Sequence, residues 1–394
     1  MSSTILTVCR KEVIENSRDR RTLFSTLLFG PLFGPALFAI MINVMISQAL
    51  SGAEEDITLP IVGQEHAPNL VDFLRRRGVE ASADLESLEE ATAAVREGEH
   101  EIVLVISPEF PANFRAGGDA RVTLVFDPSQ TRLNLSTRRV RGLLNAYSRQ
   151  LAFMRLQARG INPLLIRPIT IDEFDLSTAT GRSALLLGML TYLLLFATLM
   201  GGFHLAIDST AGERERGSLE PLLTTPVARA DLLLGKMAAT MCYMMLSLTL
   251  TVAGFTVALY FAPLEQMGMS SNFGPLVALK IILILAPFVP LGAALMTLVA
   301  SFTKSYKEAQ TYLGFVLLVP TLPLIIATFL NTRPDLSLMW IPSLSQHLLI
   351  IELIKAEPLN LGYLGVSTTS TLLFGALLAW LAIRLYDRER LLRQ

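Results

Sequence analysis

The sequence predicts a polytopic α-helical membrane protein of six transmembrane helices, with an extracytoplasmic mixed α/β domain inserted between the first and second spans. Three observations carry that prediction. Of 394 residues, 52% are hydrophobic and 17% charged, a balance too apolar for a soluble globule. The apolar residues gather into six segments, each near or above the ~20 residues a helix needs to cross the hydrocarbon. Between the first two segments, residues 51–182 change character and become rich in Glu, Asp and Arg.

Residues 1–22 mix Arg10, Lys11, Arg18, Arg20 and Arg21 with Glu12, Glu15 and Asp19, while Ile5, Leu6, Val8, Val13 and Ile14 recur on one side. This pattern predicts a cytoplasmic amphipathic helix lying along the inner membrane surface. Residues 23–50 form the first span, interrupted by Pro31 and Pro35. A cleaved signal peptide is the competing reading, but the apolar run is about twice the usual h-region.

In residues 51–182, strand-like runs occur at Ile57–Val62, Glu101–Ile106, Val122–Phe126 and Leu165–Ile171. Helical patterns lie between them at Asn69–Arg77, Leu85–Glu97 and Arg132–Arg159, which points to a mixed α/β fold large enough for its own core. Cys9 and Cys242 are the only cysteines, and neither falls in this domain, so it must hold together without disulfides. The acidic set Asp84, Glu86, Glu89 and Glu90 and the basic set Arg138, Arg139 and Arg141 read as solvated helix faces. His66 and His100 have no His or Cys at ligand spacing, so no metal site is expected.

The remaining spans fall at 183–207, 232–262, 274–301, 309–330 and 363–384, within a membrane region of 183–385, followed by a cytoplasmic tail, 386–394. Lys and Arg near span ends are retained inside. With the N-terminus inside, Arg214, Arg216, Arg229, Lys304, Lys307, Arg388, Arg390 and Arg393 all become cytoplasmic, and the α/β domain lies outside. Residues 338–358 are apolar but too short to cross and return, and read as a re-entrant or interfacial segment with Trp340 at the interface. Pro287 and Pro290, and Pro320 and Pro323, predict kinks in the fourth and fifth spans.

A charge-dense stretch, 208–236, separates the second and third spans. Glu213, Arg214, Glu215, Arg216 and Glu220 carry charge while Leu219, Leu222 and Leu223 recur at helical spacing, so 212–227 reads as a short amphipathic helix ended by Pro226. The order Glu213 to Arg216, Gly217-Ser218-Leu219-Glu220, Leu222-Leu223, Thr225-Pro226-Val227 and Gly235-Lys236 resembles the signature of ABC type-2 exporter permeases, in particular their NatB-like, sodium-extrusion branch. The resemblance implies that Glu213, Arg214, Glu215, Arg216, Gly217, Ser218, Leu219, Glu220, Leu222, Leu223 and Pro226 form a coupling helix docking into a separate ABC ATPase subunit. It also implies that the chain pairs as a homodimer or heterodimer with a second permease, and that ATP and Mg are bound by the ATPase and not here.

No catalytic set is visible. Gly235-Lys236 falls short of a phosphate-binding loop, because Ala230 stands where glycine and Met237 where Ser or Thr is needed. The chain is therefore expected to be no enzyme, to hold no cofactor or metal, and to take the lipid bilayer rather than nucleic acid as its surroundings. Ionisable residues in or near spans are costly, which makes His204 and Asp208 candidates for gating and Lys280 a candidate pathway residue or a side chain reaching back to the outer interface. The leading function is an exporter permease for sodium, a drug or a lipid in the cell membrane. The alternative is an ATP-driven mechanotransmitter or sensory protein whose outer domain binds a ligand or envelope partner.

Overall fold

A computed structural model describes residues 3–19, 24, 30–54, 57–127, 133–166, 178–218, 226–267, 269–270, 272–330 and 332–388. In chain order its elements are α1 (Ser3–Arg18), α2 (Gly30–Glu54), β1 (Ile57–Val62), α3 (Pro68–Arg75), β2 (Val79–Ser82), α4 (Leu88–Glu97), β3 (Ile102–Ile106), α5 (Phe110–Ala116), β4 (Val122–Phe126) and α6 (Leu133–Ala158). They continue as α7 (Ala179–Ile207), α8 (Arg229–Phe261), α9 (Pro275–Leu285), α10 (Phe288–Phe302), α11 (Tyr306–Val316), α12 (Leu322–Phe329), α13 (Leu344–Ile354) and α14 (Leu361–Arg388). The chain divides into two compact units, 1–46 with 176–394, and 47–175.

The unit 47–175 is the expected mixed α/β fold. Its sheet has the order β2-β1-β3-β4, with β1 parallel to β2 and β3, and β4 antiparallel to β3. β3 reads IVLVI and is apolar throughout because both its faces are covered. Ile102, Leu104 and Ile106 pack with Leu70, Leu74 and Val140 of α3 and α6, whereas Val103 packs with Ala91 and Val95 of α4. The sequence pattern misses β2, whose four residues carry one buried side chain. At Leu165–Ile171 a strand was expected; Pro163–Ile166 is a 3₁₀ turn instead, since Pro163 supplies no amide hydrogen for a ladder, and the rest lies outside the described residues. Glu90 Oε2 accepts the Glu86 N–H at 2.9 Å and Ser87 Oγ caps α4, so this acidic set serves a helix start. Arg139 donates to the Arg77 carbonyl and Arg141 lies over the Phe126 ring.

Among the described residues of the helical unit, three stretches are long and apolar enough to cross a bilayer: Leu187–Glu215, Arg229–Phe261 and Leu361–Tyr386. They correspond to the expected second, third and sixth spans. The fourth is α9 and α10, bent by 42° where Pro287 breaks the ladder of amide hydrogen bonds. The expected fifth span is two shorter helices, α11 and α12, separated near Pro320. The apolar part of α2 runs Pro31–Ser47.

α13 is buried on nearly all sides, among α7, α9, α12 and α14. At 1.5 Å per residue its eleven residues reach about 16 Å, too short to cross the hydrocarbon. Its start is held by a polar network: Gln346 accepts the Ser343 N–H at 2.6 Å and donates to Thr371 Oγ1 at 2.7 Å, fixing Ser343 at φ 68°.

Candidate coupling site

The second span does not end where the charged stretch begins. α7 passes through one wide π turn, Asp208–Gly212, into a last helical turn, Glu213–Glu215. Gly217 then closes the helix at φ 69°, with Ser218 N–H bonded to the Glu213 carbonyl and Gly217 N–H to that of Arg214, each at 3.1 Å. This paired closure needs a left-handed residue, which explains a glycine at this point of the motif.

The charged residues of this turn face inward and sideways as well as out. Glu213 is 6% exposed and forms an ion pair with Lys236 of α8, itself 2% exposed. Lys236 Nζ also donates to the Ser209 carbonyl at 2.5 Å. Its ammonium is thus committed within the chain. Lys11 of α1 completes the group, 3.5 Å from Glu213, 3.1 Å from Glu12 and 3.1 Å from Glu15.

α1 reaches this cluster because Gly235 lets it. A Cβ at Gly235 would stand 2.6 Å from Val8 Cβ, so only glycine admits the helix at this separation. The buried face of α1 centres on Cys9 and Glu12, flanked by Ile5, Val8 and Val13, whereas Leu6 and Ile14 are exposed. This corrects the apolar face expected from the sequence: α1 packs its middle against α8, and an acid sits in the seam. Burial pushes the Glu12 carboxyl up, opposed by Lys236 and Lys11 and reinforced by Glu213. Burial lowers Lys11, but the carboxylates of Glu12, Glu15 and Glu213 outweigh it and hold the ammonium above its ordinary value.

The other charges reach the next inner loop. Arg214 donates to the Thr303 carbonyl at 2.8 Å, and Glu215 accepts the Tyr306 N–H at 2.6 Å. Arg216 pairs with Asp208 at 3.0 Å, and His204 Nδ1 lies 3.2 Å from Tyr306 Oη. His204 and Asp208 therefore belong to the same assembly as the coupling stretch. Lys280 does not; it lies on the exposed face of α9 with Leu276, Leu279 and Leu283. Ser218 and Pro226 are exposed, and Leu219, Glu220, Leu222 and Leu223 lie outside the described residues. Among the described residues no three His, Cys, Asp or Glu side chains gather as metal ligands.

The sequence pattern missed Lys236, Lys11 and Glu12. The available signal was the cost of an ionised group in an apolar helix: Lys236, two turns into α8, requires an acid, and Glu213 stands at the end of the neighbouring span.

Comparison with known families matches residues 20–384 to the family described as ABC-2 family transporter protein. Over 360 residues the chain is 27% identical to the ABC transporter permease protein NatB of Bacillus subtilis (strain 168), covering 88% of this chain and 89% of the relative. With its long apolar helices and this full-length match, the chain belongs to the ABC-2 family of transporter proteins, as a multi-pass membrane permease.

Proposed function

We propose that the chain is the permease subunit of an ATP-driven exporter, with six spans, both termini inside, residues 51–182 outside, and ATP hydrolysis confined to a separate ABC ATPase. Two permease chains, alike or different, form the path, and residues 213–226 receive the stroke of the ATPase. The observation that supports this best is the bonding of Glu213, Arg214 and Glu215 to three different places: Lys236 with Lys11, Thr303, and Tyr306. A push on the exposed Gly217 and Ser218 is delivered at once to the inner ends of α7 and α8, to α1 and to the start of α11. A loop that merely joined two spans would need no such ties. His204–Tyr306 and Asp208–Arg216 brace the same junction and act as its gate-side supports. Among exported substrates, the resemblance to the sodium-extrusion branch makes Na⁺ the first to assay, with drugs and lipids next.

The test uses inside-out vesicles carrying the chain and its ATPase. Glu213→Gln, and separately Glu215→Gln, should leave the ATPase bound and hydrolysing ATP while ATP-driven uptake of the exported substrate falls. Wild-type uptake per ATP in both variants would refute the coupling role.

A further inference from the structure

The two cysteines of this chain, far apart in sequence, meet in the fold. Cys9 lies on α1 and is buried in an apolar patch with Leu205, Ala239 and Tyr243. Cys242 lies on α8 and is exposed. The register of the two helices brings the thiols together. Gly235 faces Ile5 and Val8, and Tyr243 Oη donates to the Val13 carbonyl at 3.4 Å, so α1 and α8 run in the same direction along this seam. Gly235, Ala239 and Cys242 are spaced i, i+4, i+7 and stack on one face of α8, opposite Val8 and Cys9. Ala239 and Tyr243, which flank Cys242 along α8, pack with Cys9. Burial, with Cys242 and Glu12 adjacent, pushes the Cys9 thiol up, which makes it a poor first nucleophile; Cys242, the less buried of the two and near the inner end of the third span, is the thiol that a membrane-permeant reagent meets first.

We propose that Cys9 and Cys242 are a redox-controlled clamp, a dithiol whose oxidation to a disulfide fastens the N-terminal helix to the third span and holds the coupling seam shut. The chemistry is thiol–disulfide exchange with a low-molecular-weight disulfide, RSSR. Cys242 gives its proton to water and attacks one sulfur of RSSR, forming Cys242–S–S–R and expelling RS⁻. Cys9 then loses its proton and attacks the Cys242 sulfur, forming the Cys9–Cys242 bond and expelling the second RS⁻. The two protein thiols lose two electrons and RSSR is reduced to two thiols; excess thiol reverses both steps. In a reducing cytoplasm the dithiol is the resting state, and the disulfide a transient signal. The bond would act where the seam is least secure, one turn from the buried carboxyl of Glu12 and across from Lys236, groups whose desolvation opposes closure.

The apposition of the thiols follows from the register of α1 and α8 whatever the chain does, whereas their effect on coupling rests on the permease function proposed above, so the experiment has two arms. In the first, the full chain in lipid nanodiscs is treated with 4,4′-dithiodipyridine. The expected result is release of two equivalents of pyridinethione per chain and a Cys9–Cys242 peptide, which Cys242→Ser and Cys9→Ser each abolish. A stable pyridyl adduct on Cys242 with Cys9 still reduced would overturn the proposal and leave the permease function untouched. In the second arm, vesicles with the ATPase are oxidised in the same way. ATP-driven uptake should fall at least tenfold and return with dithiothreitol, while Cys242→Ser vesicles ignore the oxidant. Unchanged uptake with the disulfide mapped would overturn the clamp.

Discussion

Replacing Lys236 by Met keeps the volume and length of the side chain but removes its charge, leaving Glu213 at 6% and Glu12 at 5% exposure without their shared cation. Removing one partner of a buried pair costs about 3–5 kcal/mol, because the remaining charge is desolvated and unpaired. Lys11 stays 3.5 Å from Glu213 and about half exposed, so it offsets part of the loss, and the lower end, about 3 kcal/mol, applies. At about 1.4 kcal/mol per tenfold, the population of states with α1 released should rise roughly 100-fold. Hydrogen exchange of the amides of residues 3–18, measured by mass spectrometry in nanodiscs, reads that population directly. Combining Lys236→Met with Glu213→Gln removes both charges and should recover most of the protection, since the pair is then absent and not broken. Wild-type exchange in the single variant, or equal exchange in single and double variants, would refute the view that this ion pair holds α1 down.

Gly235→Val places its Cβ against Val8 and should displace α1 at a cost of about 1–3 kcal/mol; unchanged exchange of residues 3–18 would count against the close packing. Glu12 is held above its ordinary value of 4.5 by burial, so the folded seam keeps a proton that the released helix gives up. Its contribution to α1 protection is then greatest at and below pH 4.5 and falls as pH rises through the interval above it; the difference between wild type and Glu12→Gln isolates this, and a flat difference from pH 4 to 7 would refute it. Glu220→Lys should uncouple ATP hydrolysis from uptake, an outcome checked by ATPase co-purification with transport; wild-type transport excludes Glu220 from the coupling surface. Cysteines placed at 218 and 90 in Cys-free chains should be labelled from the inside and the outside respectively by an impermeant maleimide; the reverse pattern inverts the topology.

Most helices and strands were legible because each announces itself locally: apolar length for the spans, alternation for β1 and β4, proline for the break between α9 and α10; α5, seven residues long, was not expected. β2 was not, since Val79 is its one buried residue and a single apolar position carries no period. In the coupling stretch the sequence read one helix, 212–227, ended by Pro226, whereas the helix closes at Gly217, because charge and leucine spacing do not mark a left-handed glycine; nor do the partners follow from sequence. Glu213 and Lys236 are separated by a loop, and Lys11 lies before α2, the unit 47–175 and α7; nothing local says that their charges share one dry site. The alternating signs of residues 213–216 suggested a helix turned wholly to a partner, whereas all four bond first within the chain.

The wide turn at Asp208–Gly212 carries one residue more than an α-helical path needs. Deleting one residue there would close the turn to a plain α-helix and keep Glu213 on the side of Lys236, whereas deleting one in the regular turn that follows, Glu213–Glu215, would rotate what comes after it by about 100° around the axis of α7. Insertions on the far side of Gly217 meet no such obstacle, because the left-handed closure has already uncoupled the helix from the outer half of the loop. Length variation between the second and third spans should therefore be tolerated after Ser218 and rejected between Glu213 and Gly217, where the ties to Lys236, Thr303 and Tyr306 fix the register.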